Sequence, residues 1–223
     1  MFLFTEGFIS FFNTDIGQML TLLLAGALFI VLSGLYFKKV KLPTRTLTYI
    51  GLAIAIAFIL SHLRLYRMPQ GGSVTPLSMF FVTLPALWFG PAIGFIAGIS
   101  YGLLRLVTDT YFVHPLQILL DYPVAFGMAG LAGFFYKMKG GLYVGFVIAC
   151  VGRFVVHVAS GVFFFAQYAP EGTHPLIHSI VFNASYIFAE MGITIVILAI
   201  PAVYNAYNHV KRSVSIEAGL PKN

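Results

Sequence analysis

The sequence predicts an all-α integral membrane protein that crosses the bilayer seven times. Hydrophobic residues make up 59% of the 223 and charged residues only 9%, where a soluble domain carries roughly 25% charged. Mean hydropathy is +0.92. The apolar residues gather into runs near 17–37, 46–63, 74–90, 92–107, 115–136, 141–166 and 175–206, separated by short polar connections.

Residues 1–15 hold Glu6 and Asp15 but no Lys or Arg, so the basic start of a signal peptide is missing. The run at 17–37 is therefore expected to be retained as a span. The second run carries Ala53 and Ala57, small residues one helical turn apart that allow close helix approach. The third and fourth runs meet at Gly90-Pro91, a tight turn between neighbouring antiparallel helices. Gly94, Gly98 and Gly102 then recur every four residues, and Gly127, Gly130 and Gly133 every three, which reads as helix packing.

Net charge is +6, from thirteen Lys/Arg against seven Asp/Glu. The basic residues sit between spans, so they report orientation and call for no nucleic acid. Lys38, Lys39, Lys41 and Arg45, then Lys137 and Lys139, then Lys211, Arg212 and Lys222 fall on one side of an alternating path. That side is expected to be cytoplasmic, with the N-terminus outside and the C-terminus inside. The external connections RLYRMPQGGSVT, TDTYFVHP and YAPEGTHP hold most of the polar, Pro and Gly residues, which places the functional face outside. The single cysteine, Cys150, permits no intramolecular disulfide.

Ionisable groups inside a bilayer are costly and mark function or pairing. Arg153, His157 and Gly161 recur every four residues and share one helical face. Counted at 1.5 Å per residue, Asp121, His157 and Asn183 fall at similar depth on three different spans. Together they can line a polar pocket. Arg153 and Glu190 lie deeper, also at matching depth, and are expected to pair as a structural neutralisation. Tyr111, Tyr122, Phe164, Phe165 and Tyr186 lie close in sequence to the pocket positions. One acid, a few hydrogen-bonding groups and aromatic faces suit a flat, cationic, nitrogen-rich ligand. No P-loop, HExxH or CxxC run is present, so no ATP hydrolysis, metal or cofactor is expected of this chain. His174 and His178 could ligate zinc on a helix, but lack an obvious third ligand. Ser160, His157 and Asp121 lack the nucleophile-elbow pattern of a hydrolase.

Several stretches go further. MPQGGSV at 68–74, HPLQILLDYP at 114–123, HVASGVFFFAQYAPEGT at 157–173, and the pattern from His178-Ser179 to Asn183-Ala184-Ser185-Tyr186 resemble the ThiT/YuaJ family. These are the thiamine-specific substrate-binding (S) components of energy-coupling factor (ECF) transporters. The resemblance covers about 46–210. It implies a six-helix S-component-like bundle over 46–210; the apolar run and the basic residues outside that range then read as an extra N-terminal transmembrane helix and basic cytoplasmic connection over 1–45 and a cytoplasmic tail over 211–223. It further implies a binding protein rather than an enzyme. Such a protein captures thiamine outside and works with a transmembrane coupling subunit (T component) and two cytoplasmic ATPase subunits. By resemblance, Asp121 bonds the aminopyrimidine, while Tyr122, His157 and Phe165 line or stack on the rings. Asn183 and His178 complete polar contacts, Gly161 gives room, and Tyr111 is a further pocket tyrosine. Ala53 and Ala57 match a partner-docking AxxxA motif. His178 stands where the family usually has Tyr, Phe165 where some members carry Trp, and the span at 17–37 has no family counterpart. Other readings are an S component for a thiamine precursor or another flat vitamin, an intramembrane enzyme using His157 and Asp121, and a stand-alone carrier.

Overall fold

The computed structural model describes residues 43–217 apart from Gln70, Asp109, Thr110 and Phe112. The expected span at 17–37, with most of the basic connection after it, lies outside the described residues. Seven helices are formed among the described residues: α1 (Thr44–His62), α2 (Ser78–Phe89), α3 (Pro91–Thr108), α4 (Pro115–Phe135), α5 (Gly141–Phe164), α6 (Pro175–Ala199) and α7 (Pro201–Glu217). Five of them, α1, α3, α4, α5 and α6, are long and apolar enough to cross a membrane, and α2 is a shorter apolar helix. The all-α, multi-pass expectation holds.

The run expected at 74–90 does not start as a helix. Tyr66–Arg67 (β1) and Ser73–Val74 (β2) pair antiparallel, Tyr66 opposite Val74, and form a small hairpin. Leu77 then adopts a left-handed backbone (φ 62°) before α2 begins. The start of α2 is held from across the bundle. Glu190 Oε1 accepts from Thr75 Oγ1 (2.8 Å), Ser78 Oγ (2.9 Å) and the Met79 amide (3.1 Å). A carboxylate here satisfies an otherwise orphaned donor at a helix N-terminus. Glu190 lies about 22 Å along α6 from Pro175, so residues 73–77 descend deep into the bundle. Irregular backbone at such depth is tolerated because protein surrounds it.

α4 changes pitch three times. An α-turn (Pro115–Leu119) passes into a π-turn (Leu120–Val124), back to α (Ala125–Gly127), and then into a 3₁₀ stretch (Met128–Phe135). Pro123 has no amide hydrogen, which suits a break in the α ladder. The three-residue glycine spacing also finds its reason here. A 3₁₀ helix has three residues per turn, so Gly130 and Gly133 eclipse on one face. A Cβ on Gly130 would strike Phe95, and one on Gly133 would strike Gly90-Pro91. The Gly90-Pro91 turn forms as expected, with Gly90 at φ 94° capping α2.

Two expectations are corrected. The run at 175–206 is not one helix. Ile200 is extended (ψ 121°) because it precedes Pro201, and α7 starts afresh. α7 ties several elements together. Tyr204 stacks on Tyr143 of α5 (6.2 Å), Tyr207 packs beside Phe80 of α2 (6.3 Å), and Lys211 Nζ donates to Tyr136 O after α4 (2.8 Å). Tyr49 of α1 donates to Glu217 Oε2 (2.6 Å). The expected boundary at 210/211 therefore falls inside a helix. Second, Ala53 and Ala57 do not face outward. They are 2% and 0% exposed and belong to the core with residues of α2. The outward-facing small pair on α1 is Gly51 and Ala55, flanked by exposed Leu52 and Ile59.

Candidate functional site

A cavity of about 480 Å³ opens between the hairpin, α3, α4, α5 and α6. Its floor is polar. Asp121 stands on the π-turn of α4, and both its oxygens are engaged. His157 Nδ1 donates to Oδ1 (3.0 Å) and Gln117 Nε2 donates to Oδ2 (2.7 Å). Each oxygen keeps a second lone pair for a ligand. Arg153 lies one turn before His157 on α5, its Nε–H donating to His157 Nε2 (3.3 Å) and its guanidinium lying over the Phe126 ring (4.5 Å). Glu190 Oε2 stands 3.9 Å from Arg153 Nη1. The two are 8% and 2% exposed, so each supplies the charge that the other requires in an apolar interior.

The walls are aromatic. Tyr111 stacks on Phe165 (6.0 Å between centroids, 25° between planes) and shares a hydroxyl–hydroxyl bond with Tyr168 (3.3 Å). That bond, with partial burial, holds the Tyr111 hydroxyl proton more tightly than in a free phenol. Tyr122 Oη accepts from the Tyr111 amide (2.9 Å), pinning the α3–α4 connection to the π-turn. Tyr186 sits edge-on to His157 (6.2 Å) and donates to Asn183 Oδ1 (2.9 Å). Asn183 Nδ2 in turn donates to the Ser179 carbonyl (2.9 Å). The hairpin contributes Met68, Pro69, Gly71, Gly72 and Ser73 to the lining.

All eight residues expected at the pocket line this cavity: Tyr111, Asp121, Tyr122, His157, Gly161, Phe165, His178 and Asn183. Gly161 also has a packing duty. A Cβ there would collide with the Ser179 hydroxyl and lie 2.9 Å from its Cβ, so α5 and α6 could not approach as they do. Phe164 does not line the cavity. It stacks on His114 (4.9 Å, 18°). Ser160 is fully buried and outside the lining, which removes it from any grouping with His157. His174 caps α6 by accepting from the Leu176 amide (3.2 Å). Among the described residues, no group of three or more His, Cys, Asp or Glu could hold a metal.

Sequence reasoning missed Gln117, Phe126, Tyr168, Ser179 and Phe182, all of which line the cavity. Gln117 had a visible signal: it precedes Asp121 by four residues on one face of α4. Phe126 had none, since nothing local separates it from lipid-facing phenylalanines.

The chain is 36% identical over 147 residues to the thiamine transporter ThiT of Bacillus subtilis, covering 60% of this chain and 76% of that protein. It is 29% identical over 140 residues to ThiT of Lacticaseibacillus paracasei, covering 57% and 68%. A solved structure of ThiT from Listeria monocytogenes matches with TM-score 0.63 at 25% identity, over 70% of this chain and 91% of that one. These relatives are named as transporters, not enzymes. The family model described as thiamine transporter protein (Thia_YuaJ) matches residues 47–209, and the chain belongs to that family.

Proposed function

We propose that this chain is the high-affinity thiamine-binding S component of an ECF-type vitamin uptake transporter. It captures thiamine on the extracellular side and delivers it through a transmembrane coupling subunit driven by two cytoplasmic ATPases. The observation that carries the reading is Asp121, a carboxylate with a spare lone pair on each oxygen, at the floor of an aromatic-walled cavity. Thiamine presents an aminopyrimidine edge that a carboxylate can bond and a thiazolium cation that aromatic faces attract. The Tyr111–Phe165 stack is a flat surface on one side of the cavity. The names of the relatives support the same ligand. The Lys/Arg distribution supports an external N-terminus, a cytoplasmic C-terminus and a cavity that opens outside.

Calorimetric titration of the detergent-solubilised protein tests the ligand, with riboflavin and a thiamine precursor as controls. One-to-one, thiamine-selective binding is expected. Tighter binding of the precursor would transfer the reading to that compound, with His178 the first residue to examine.

The surface for the coupling subunit is proposed at Gly51 and Ala55 rather than at the buried Ala53 and Ala57. Replacing Ala55 with Trp is expected to leave thiamine binding within about twofold, because this face is outside the bundle. Uptake by vesicles containing the coupling and ATPase subunits should fall to background. The same change at Ala57 should overpack the core and unfold the protein. Normal uptake by the Ala55 variant would remove this face from the docking surface.

A further inference from the structure

We propose that Arg153 keeps His157 uncharged and so reserves the negative charge of Asp121 for the ligand. The assignment rests on hydrogen-bond direction. A guanidinium Nε–H can only donate, and it points at His157 Nε2 from 3.3 Å. His157 Nε2 must therefore present its lone pair. The ring proton is left to Nδ1, which donates to Asp121 Oδ1 at 3.0 Å. A second proton on the ring would sit at Nε2, facing the Arg153 N–H. The contact between His157 and Asp121 is then a neutral imidazole donating to a carboxylate, not an ion pair.

The surrounding charges fit. Around the His157 ring stand Arg153 on its own helix, Asp121 and Gln117 on α4, and Tyr186 on α6, with Glu190 of α6 behind Arg153. Arg153 and Glu190 cancel, Gln117 and Tyr186 are neutral, and His157 adds nothing. Of these groups around the ring, Asp121 alone keeps an uncompensated charge, while Arg64, Arg67 and Arg105 line the cavity elsewhere. A protonated His157 would compensate that charge. Glu190 is a fixed anchor for Arg153, because its other oxygen is committed to the first turn of α2. Arg153 is thus a positioning residue. It reaches Asp121 through His157, and it sets whether Asp121 meets the ligand as a free carboxylate or as half of an ion pair. The consequence for affinity rests on the reading of the ligand as thiamine; the proton assignment does not.

The test has two arms. In the first, imidazole ¹⁵N shifts of the ligand-free protein are measured, with the His157 signals assigned by their loss in His157→Gln. A neutral ring protonated at Nδ1 is expected. A ring protonated at Nε2, or an imidazolium at neutral pH, overturns the proposal. In the second, thiamine affinity is followed between about pH 7.5 and pH 5.5, spanning the ordinary imidazole range near 6.5. The wild type is compared with Arg153→Met/Glu190→Gln, which removes both charges together. The wild type should change by about twofold or less, whereas the double variant, in which no donor faces the Nε2 lone pair, should lose about tenfold or more at the acid end. Equal, flat profiles overturn the proposal. Should the double variant not fold, the ¹⁵N shifts of the wild type decide alone. A wild type that keeps the Nδ1 proton but binds no thiamine would sink the ligand reading and leave the proton assignment standing.

Discussion

Replacing Asp121 with asparagine is expected to weaken thiamine binding by about a hundredfold, or ~2.7 kcal/mol, the scale of a buried charge-assisted hydrogen bond. The substitution is nearly isosteric, so cavity shape is kept and the charge is lost. It also introduces a conflict. Both oxygens of Asp121 accept, from His157 Nδ1 and Gln117 Nε2. An asparagine must turn an NH₂ group toward one of those two donors, leaving a buried donor unmatched. Gel filtration should stay close to wild type and the thermal midpoint should fall modestly, because the fold is kept while one donor in the α4–α5 contact is left unmatched. Calorimetry then reads the loss directly. Wild-type affinity in this variant would exclude Asp121 from the ligand and overturn the proposed function.

Gly72→Ala is the second large effect expected, acting through the hairpin that lines the cavity. Gly72 has φ 84°, and a Cβ there would lie 2.9 Å from Cζ of Tyr186. Its carbonyl accepts from the Met68 amide (3.0 Å), which closes the turn. Alanine in a left-handed backbone costs roughly 1–2 kcal/mol, and here the ring cannot yield freely because its hydroxyl is bound to Asn183. The hairpin should lift from Tyr186. Faster release of thiamine is expected, with affinity about tenfold lower or worse. Gly140→Ala is the matched control. It has φ 80° with nothing within 4 Å, in the turn before α5, and does not line the cavity. It carries the same backbone strain without the collision. Equal affinity in the two variants would show that the Gly72–Tyr186 contact does not hold the hairpin down.

The sequence by itself determined that this is a multi-pass α-helical membrane protein and which polar residues lie inside its spans. Both are local facts. Long apolar runs require no knowledge of neighbours, and Asp121, His157 and Asn183 stand out because the residues around them are apolar. Equal depth along parallel helices then brings them together, and all three line one cavity. The rotation of each helix about its axis was not legible. In a membrane the lipid is as apolar as the protein core, so the inward and outward faces of a span carry the same kinds of residue. That is why Ala53 and Ala57 could not be told from Gly51 and Ala55 before the packing of α1 against α2 buried one pair and exposed the other. It is also why Phe126 could not be separated from Phe134, which is 65% exposed. Glu190 illustrates the remaining gap. Its match in depth to Arg153 follows from counting residues, but its grip on Thr75, Ser78 and Met79 joins positions more than a hundred apart in sequence. Only tertiary packing sets a contact of that kind, because nothing local records which helix start will descend to meet a buried carboxylate.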